Sequence, residues 1–255
     1  MKTKRLFYNL ICPLIGVAAI AGVWAAASAI YNKPLILPGV ADITVAFVKL
    51  FGSGKFYLDV AATFARSIIC FVLSYLFALP LALASAFSKT FASVFKPFAE
   101  VLRSVPMIAV ILVALAVFNS SVLPVVVGFL MVFPLAYSAF YNALTNADVV
   151  LSVETCRLFK ARRRDIVRYA YMPVLLPSGV LQAQSLLPLS VKVAVSGEVL
   201  AYTRRGLGLA MQSAQINVEI DKLAAYALIA VLLSYACLGL VKLLELILRR
   251  CRLCR

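Results

Sequence analysis

The chain has 255 residues, 64% hydrophobic and only 14% charged, where a soluble domain carries about 25% charged residues. That excludes a water-soluble globular protein, and no stretch of mixed composition is long enough to form a separate soluble domain. The net charge of +15 raises the possibility of nucleic-acid binding, which the placement of the basic residues argues against below. The complete absence of histidine removes Ser/His/Asp catalysis and most metal chemistry.

The apolar residues fall into runs free of Asp, Glu, Lys and Arg: Leu6–Asn32, Ser67–Ser88, Ser104–Ala147, Tyr169–Val191 and Leu223–Val241. About 20 such residues carry a helix across the hydrocarbon core. The third run has 44 residues, enough for two crossings separated by the polar Asn119-Ser120-Ser121. Inside lipid only a helix or a closed barrel satisfies its own backbone, and barrel strands would alternate polar and apolar residues, which these runs do not. The predicted fold is all-α and membrane-integral, with about six crossings near 7–30, 64–88, 100–118, 122–144, 173–197 and 223–247. The first run, at 27 residues, exceeds a 7–15 residue signal core and is expected to remain as a crossing. A Pro-punctuated loop follows it, and then an amphipathic segment over 41–51. Pro80 and Pro188 are expected to kink their helices. Ala78, Ala82 and Ala86 form a small-residue row suited to close helix packing.

With both ends on the cytoplasmic side, seventeen Lys and Arg lie on that side against seven on the other, with Lys192 near or within the fifth helix. This is the positive-inside bias; it accounts for most of the net charge without nucleic acid. Arg66 and Arg103, at the ends of the second and third helices, read as interfacial anchors. Cys251-x-x-Cys254 is half of a zinc site without a second half and reads as two reduced tail cysteines. Gly52-Ser53-Gly54-Lys55 is not a phosphate loop, since Lys49 stands where the first glycine is needed and Phe56 where Ser or Thr is needed.

Three segments carry chemistry. In the cytoplasmic stretch Asp148–Pro177, Leu151, Thr155, Leu158 and Phe159 recur at helical spacing, with Val150 and Glu154 on an adjoining strip; the pattern fits either a helix docking into a partner's groove or a solvated basic loop. In the fifth helix Gln182, Ser185, Lys192 and Ser196 share one stripe, placed either along a solute path favouring anionic or carbonyl-bearing solutes or in helix–helix hydrogen bonding with Lys192 reaching the interface. Beyond it, Glu198 stands seven residues before Arg205, in a loop beside Gly206-Leu207-Gly208 that reads either as a surface charge with a flexible turn or as a functional outer site.

Glu154-Thr155-Cys156-Arg157-Leu158-Phe159-Lys160-Ala161, followed by Asp165 to Pro177, resembles the cytoplasmic "EAA" loop of bacterial ABC-importer permeases. Leu37-Pro38-Gly39, Leu102-Arg103-Ser104-Val105-Pro106, Gly197-Glu198-Val199-Leu200 and Arg205-Gly206-Leu207-Gly208 resemble that family's nitrate/sulfonate/taurine branch, in its order, over about residues 35–245. The departures are Thr155 and Cys156 for the two alanines and Lys160 for the glycine. The resemblance implies a single permease domain over 1–255 with a type I importer bundle and a coupling helix between the fourth and fifth crossings. It makes Leu151, Glu154, Thr155, Cys156, Leu158, Phe159 and Lys160 the contact to a cytoplasmic ATPase. ATP and Mg would be held by that partner, and this chain would not be an enzyme. Glu198, Arg205, Gly206 and Gly208 would form an outer gate or the dock of an extracytoplasmic solute-binding protein. A second copy, most simply as a homodimer, completes the expected assembly in the bacterial inner membrane. The solute would be nitrate, a sulfonate, taurine or a vitamin precursor. The competing reading is a self-contained six-helix carrier or channel.

Overall fold

The computed structural model describes residues 2–31, 33 and 36–250, with side chains at 2–14, 17, 31 and 248–250 outside that description. Cys12, Cys251 and Cys254 therefore lie outside the described side chains, as do the basic residues of both chain ends. Among the described residues every regular element is helical: α1 (Lys2–Tyr31), α2 (Val40–Leu50), α3 (Gly54–Phe87), α4 (Lys89–Ser104), α5 (Met107–Val117), α6 (Leu123–Leu144), α7 (Ala147–Leu158), α8 (Arg163–Ile166), a π turn (Val167–Tyr171), α9 (Met172–Ala201), α10 (Leu207–Ile216) and α11 (Ile220–Arg250). Residues 1–58 with 210–229 form one compact unit, and 59–209 with 230–255 form another.

Among the described residues four helices are long and apolar enough to cross a membrane: Gly54–Phe87, Leu123–Leu144, Arg163–Ala201 and Ile220–Ile247. The pair α4 and α5 would make a fifth only as a span bent by 95°. Ala18–Ile30 is the described apolar part of α1. The expected straight crossing at 100–118 is thus corrected. Proline has no N–H to donate and drives the residue before it out of the α region; Val105 (φ −68°, ψ 129°) and Pro106 (φ −59°, ψ 131°) are both extended. What remains beyond the break, α5, has 11 residues, about 16 Å of rise, too short to cross alone. Two other predicted helices begin about ten residues early, α3 at Gly54 and the continuous Arg163–Ala201 at Arg163.

In the first unit, the end of α1 is tied to the Pro-rich loop. Trp24 Nε1 donates to the Pro38 carbonyl and Ser28 Oγ to that of Leu37, both at 3.0 Å. The Asp42 carboxylate accepts from Gly39 N–H at 3.1 Å, favourable at the positive end of a helix. This starts α2, which buries Ile43, Ala46 and Leu50.

The second unit is built on α6 and α9. The buried side of α3 is a line of small residues, Thr63, Ser67, Cys70, Ser74, Ala78, Ala82 and Ser85. The serine hydroxyls are satisfied within the helix: Ser67 donates to the Thr63 carbonyl, Ser74 to that of Cys70 and Ser85 to that of Leu81. Small residues let helix backbones approach closely where lipid supplies no hydrophobic drive. The aromatic rings fill the rest of the core: Tyr75 meets Phe140 edge-on at 5.1 Å, and Phe95 of α4 meets Tyr137 of α6 at 4.9 Å. Two polar contacts fix the register, Tyr75 Oη to the Gly179 carbonyl at 3.1 Å, part-buried, and Ser85 Oγ with Tyr137 Oη at 2.7 Å, buried.

Close approach has a direct test at Gly128, where an added Cβ would strike Cys70 Sγ. Gly128→Ala should lower stability by about 1–3 kcal/mol, the range for an overpacked core, read as a lower melting temperature in detergent. Combining it with Cys70→Ala should restore most of the loss.

Candidate functional site

Helix α7 forms where Asp148 in its first turn and Arg157 in its last oppose the helix dipole. It buries Val149 and Val153 against a core that includes Ile166, Ala170 and Tyr171. The opposite side carries Leu151, Leu158 and Phe159, the last two 83% and 82% exposed. Thr155 turns its hydroxyl back to the Leu151 carbonyl at 2.8 Å and is exposed with Glu154, while Cys156 is half-buried. The predicted residues therefore separate into an outward set (Leu151, Thr155, Leu158, Phe159), Glu154 on the flank shared with Val150 and Arg157, and Cys156, which is half-buried.

Lys160 ends this helix in the left-handed region, φ 52°. Ala161 N–H bonds to the Cys156 carbonyl at 3.0 Å and Lys160 N–H to that of Arg157 at 2.9 Å. This is the Schellman arrangement, in which glycine ordinarily occupies the left-handed position. The backbone thus keeps the shape a glycine would permit, although a lysine stands there.

After α8, the π turn over Val167–Tyr171 leads into α9. The side of α9 bearing Leu186, Ser190, Ala194, Gly197 and Ala201 is buried, and α6 is its main neighbour. Gly197 lies so close to α6 that a Cβ there would come 3.0 Å from Pro124 Cα. Ser185 and Lys192 are exposed on the other side, with Gln182 and Ser196 half-exposed beside them. Those four share one face that the chain does not cover.

At the end of α9 remote from α7, Glu198 is fully buried. Its Oε1 accepts from Arg66 at 2.6 Å, and its Oε2 accepts from Thr63 Oγ1 at 2.8 Å and Gly208 N–H at 3.0 Å. Arg66, 16% exposed, also donates to the Arg205 carbonyl at 2.7 Å. Gly206 N–H reaches Asp59 Oδ1 at 3.0 Å and Leu207 N–H reaches Thr63 Oγ1 at 2.8 Å. The turn is therefore held by its backbone. Gly206 adopts φ 142°, and a Cβ there would strike the Glu198 carboxylate; one on Gly208 would strike Glu198 Cβ and the Val195 carbonyl. Both glycines are needed. The Tyr202, Arg204 and Arg205 side chains remain exposed.

Arg66 is accordingly an ion-pair partner and not an interfacial anchor. Asp59 and Thr63 were also missed as members of this site. Their spacing with Arg66, three and four residues apart, puts all three on one helical face, the signal that could have found them.

Among the described residues the chain is all-helical, with several helices long and apolar enough to cross a membrane, the class of an integral membrane protein. A family model for the binding-protein-dependent transport system inner membrane component matches residues 74–250, and the chain belongs to that family. It is 26% identical to a probable ABC transporter permease protein of Brucella melitensis over 187 residues, covering 73% of this chain and 75% of that protein. It is 24% identical to a protein assigned as an ABC transporter permease in Methanocaldococcus jannaschii, covering 98% and 90%. It is 26% identical to the taurine transport system permease protein of Escherichia coli, covering 85% and 81%. The match is to a permease and not to an ATPase.

Two outcomes follow from the geometry. Glu198→Ala leaves Arg66 without its partner and should cost about 3–5 kcal/mol, seen as a fall in melting temperature that Arg66→Leu in the same chain partly reverses. Lys160→Gly removes a left-handed penalty of roughly 1–2 kcal/mol, against which glycine's extra unfolded-state freedom counts. The net should be stabilising by about 0.5–1 kcal/mol, with a higher melting temperature.

Proposed function

We propose that this chain is the membrane-spanning subunit of an ATP-driven importer of the bacterial inner membrane, with both termini cytoplasmic. The observation that carries this reading is the outward face of α7. Leu151, Leu158 and Phe159 stand exposed on a short helix whose other side is anchored in the core, as suits a helix docking into a partner's groove. The partner is a cytoplasmic ATPase, which binds ATP and Mg. Two ATPase subunits closing on ATP draw two such helices together, and the bundles switch between outward and inward access by differential binding to the two states. A second copy of this chain supplies the other helix, and an extracytoplasmic binding protein delivers the solute at the Arg205–Gly208 end.

The solute reading rests on α9. An uncovered polar face with a lysine on a membrane-length helix suits a path for small anions such as nitrate or a sulfonate, and the taurine-permease relative supports a sulfonate-like solute.

Affinity purification of the chain from its native membrane should bring down an ATPase in stoichiometric amount. Phe159→Asp should abolish that association and ATP-dependent uptake while leaving the chain folded; ATP-independent uptake by the purified chain alone would refute the reading. Lys192→Met should reduce uptake of an anionic solute at least tenfold with ATPase association intact. Full transport with unchanged selectivity would remove α9 from the path.

A further inference from the structure

Beneath α7, on the side away from Leu158 and Phe159, lies a cleft of about 440 Å³ walled by the end of α3, the start of α4, the end of α6, α7 and the π turn. Its charged lining is Lys89, the first residue of α4, with Arg157 and Glu154 of α7. Among the described residues the ion pairs are Arg66–Glu198 and Lys222–Glu219, so neither cation is in salt-bridge contact with a carboxylate. The cleft therefore holds two cations against one carboxylate. Tyr141 and Tyr171 also line it, and the Tyr171 hydroxyl is 3.5 Å from the Ala86 carbonyl, at the limit of a hydrogen bond and so free to turn to another acceptor.

The depth of the cleft says what meets it. Two membrane-length helices stop at its wall, α3 at Phe87 and α6 at Leu144. Leading away from it, α4 exposes Val94, Phe98 and Val101 and turns 95° from α5, the form of a helix lying in the interface plane. Charged and apolar groups together where two membrane-length helices end suit the level of lipid headgroups. Basic pockets between helices at that depth suit phosphate-bearing headgroups, and cations that donate hydrogen bonds to a phosphate bind it more strongly than neutral donors do.

We propose that this cleft binds the phosphate of an anionic phospholipid headgroup, held by Lys89 and Arg157. The lipid bridges the interfacial helix α4 and the anchored side of α7, steadying the helix whose other face is open. The proposal rests on the chain spanning a membrane and does not require the importer reading.

The test uses the full chain in nanodiscs of phosphatidylcholine alone or mixed with phosphatidylglycerol, read by melting temperature and by lipid retained in native mass spectrometry. Phosphatidylglycerol should be retained in preference to phosphatidylcholine and should raise the melting temperature. Lys89→Gln with Arg157→Gln should weaken that retention at least tenfold, whereas Arg103→Gln, at the far end of α4, should leave it unchanged. No preference in the unaltered chain overturns the proposal, whether or not the double variant folds. Equal loss on Arg103→Gln reduces the effect to general surface charge and overturns it too. Inorganic phosphate added to phosphatidylcholine discs separates the two sources of the same chemistry: an equal rise in melting temperature there assigns the cleft to a soluble anion and overturns the lipid assignment.

Discussion

A carboxylate with no solvent exposure, near the end of a helix long enough to cross a membrane, is the constraint on which much of this architecture depends. Burying an unpaired charge in low dielectric is costly, and attraction repays the cost only when every lone pair is met with good geometry. Glu198 meets that demand through Arg66, Thr63 and Gly208. Each partner imposes a further requirement. Arg66 and Thr63 fix which face of α3 turns inward, and the Gly208 N–H fixes the path of the turn. The two glycines then follow from sterics, because any side chain there would occupy the volume of the Glu198 side chain.

The same face of α3 continues as the line of small residues from Thr63 to Ser85. A polar cluster at one end and close packing along the remainder are two parts of one device. The ion pair sets the rotation of the helix, and small side chains let that rotation persist over its length. The glycine approaches on α6 and α9, Gly128 against Cys70 and Gly197 against Pro124, apply the same solution to neighbouring helices. In lipid, where apolar surface gains nothing by leaving one hydrocarbon for another, such contacts carry the specificity of packing.

Hydropathy made the helices legible, since long uncharged runs have no other stable form in a bilayer. The fourth predicted crossing, 122–144, differs by one residue from Leu123–Leu144. Composition averaged over a window does not register direction, however, and the bend between α4 and α5 escaped even though Pro106 was visible. The outward face of α7 could be read from periodicity because a short helix with one anchored side has only one way to turn. Arg66 was misread because a lone arginine at a helix end looks the same whether it meets headgroups or a carboxylate 132 residues away. Helix α10 was missed since its ten residues follow a glycine-rich turn that reads as loop. Lys160 was legible as a departure, but whether the backbone would follow the lysine or the turn was decided by tertiary structure. Val149 and Val153 are buried and Ala161 packs against the same core, so the chain must reverse there whatever residue it carries.

That reversal bears on how α7 connects to the rest. A helix end closed by a Schellman turn is fixed in direction, and the following segment, Arg163–Ala201, runs without interruption for 39 residues through the π turn and two internal prolines. Its near end packs beside α7 and its far end holds Glu198. About 40 Å of rise separates Tyr171 from Glu198, and between them the helix is braced along α6. Hydrogen-bonded helices resist compression far more than they resist bending, and the places where this one can yield are those with weakened backbone bonding: the π turn, Pro177 and Pro188. Lys192 lies beyond the last of these, on the stretch fixed by Gly197 and Glu198. Lys192 and Ser196 are thereby attached to the latched end of the helix, while Gln182 and Ser185 lie between the two prolines.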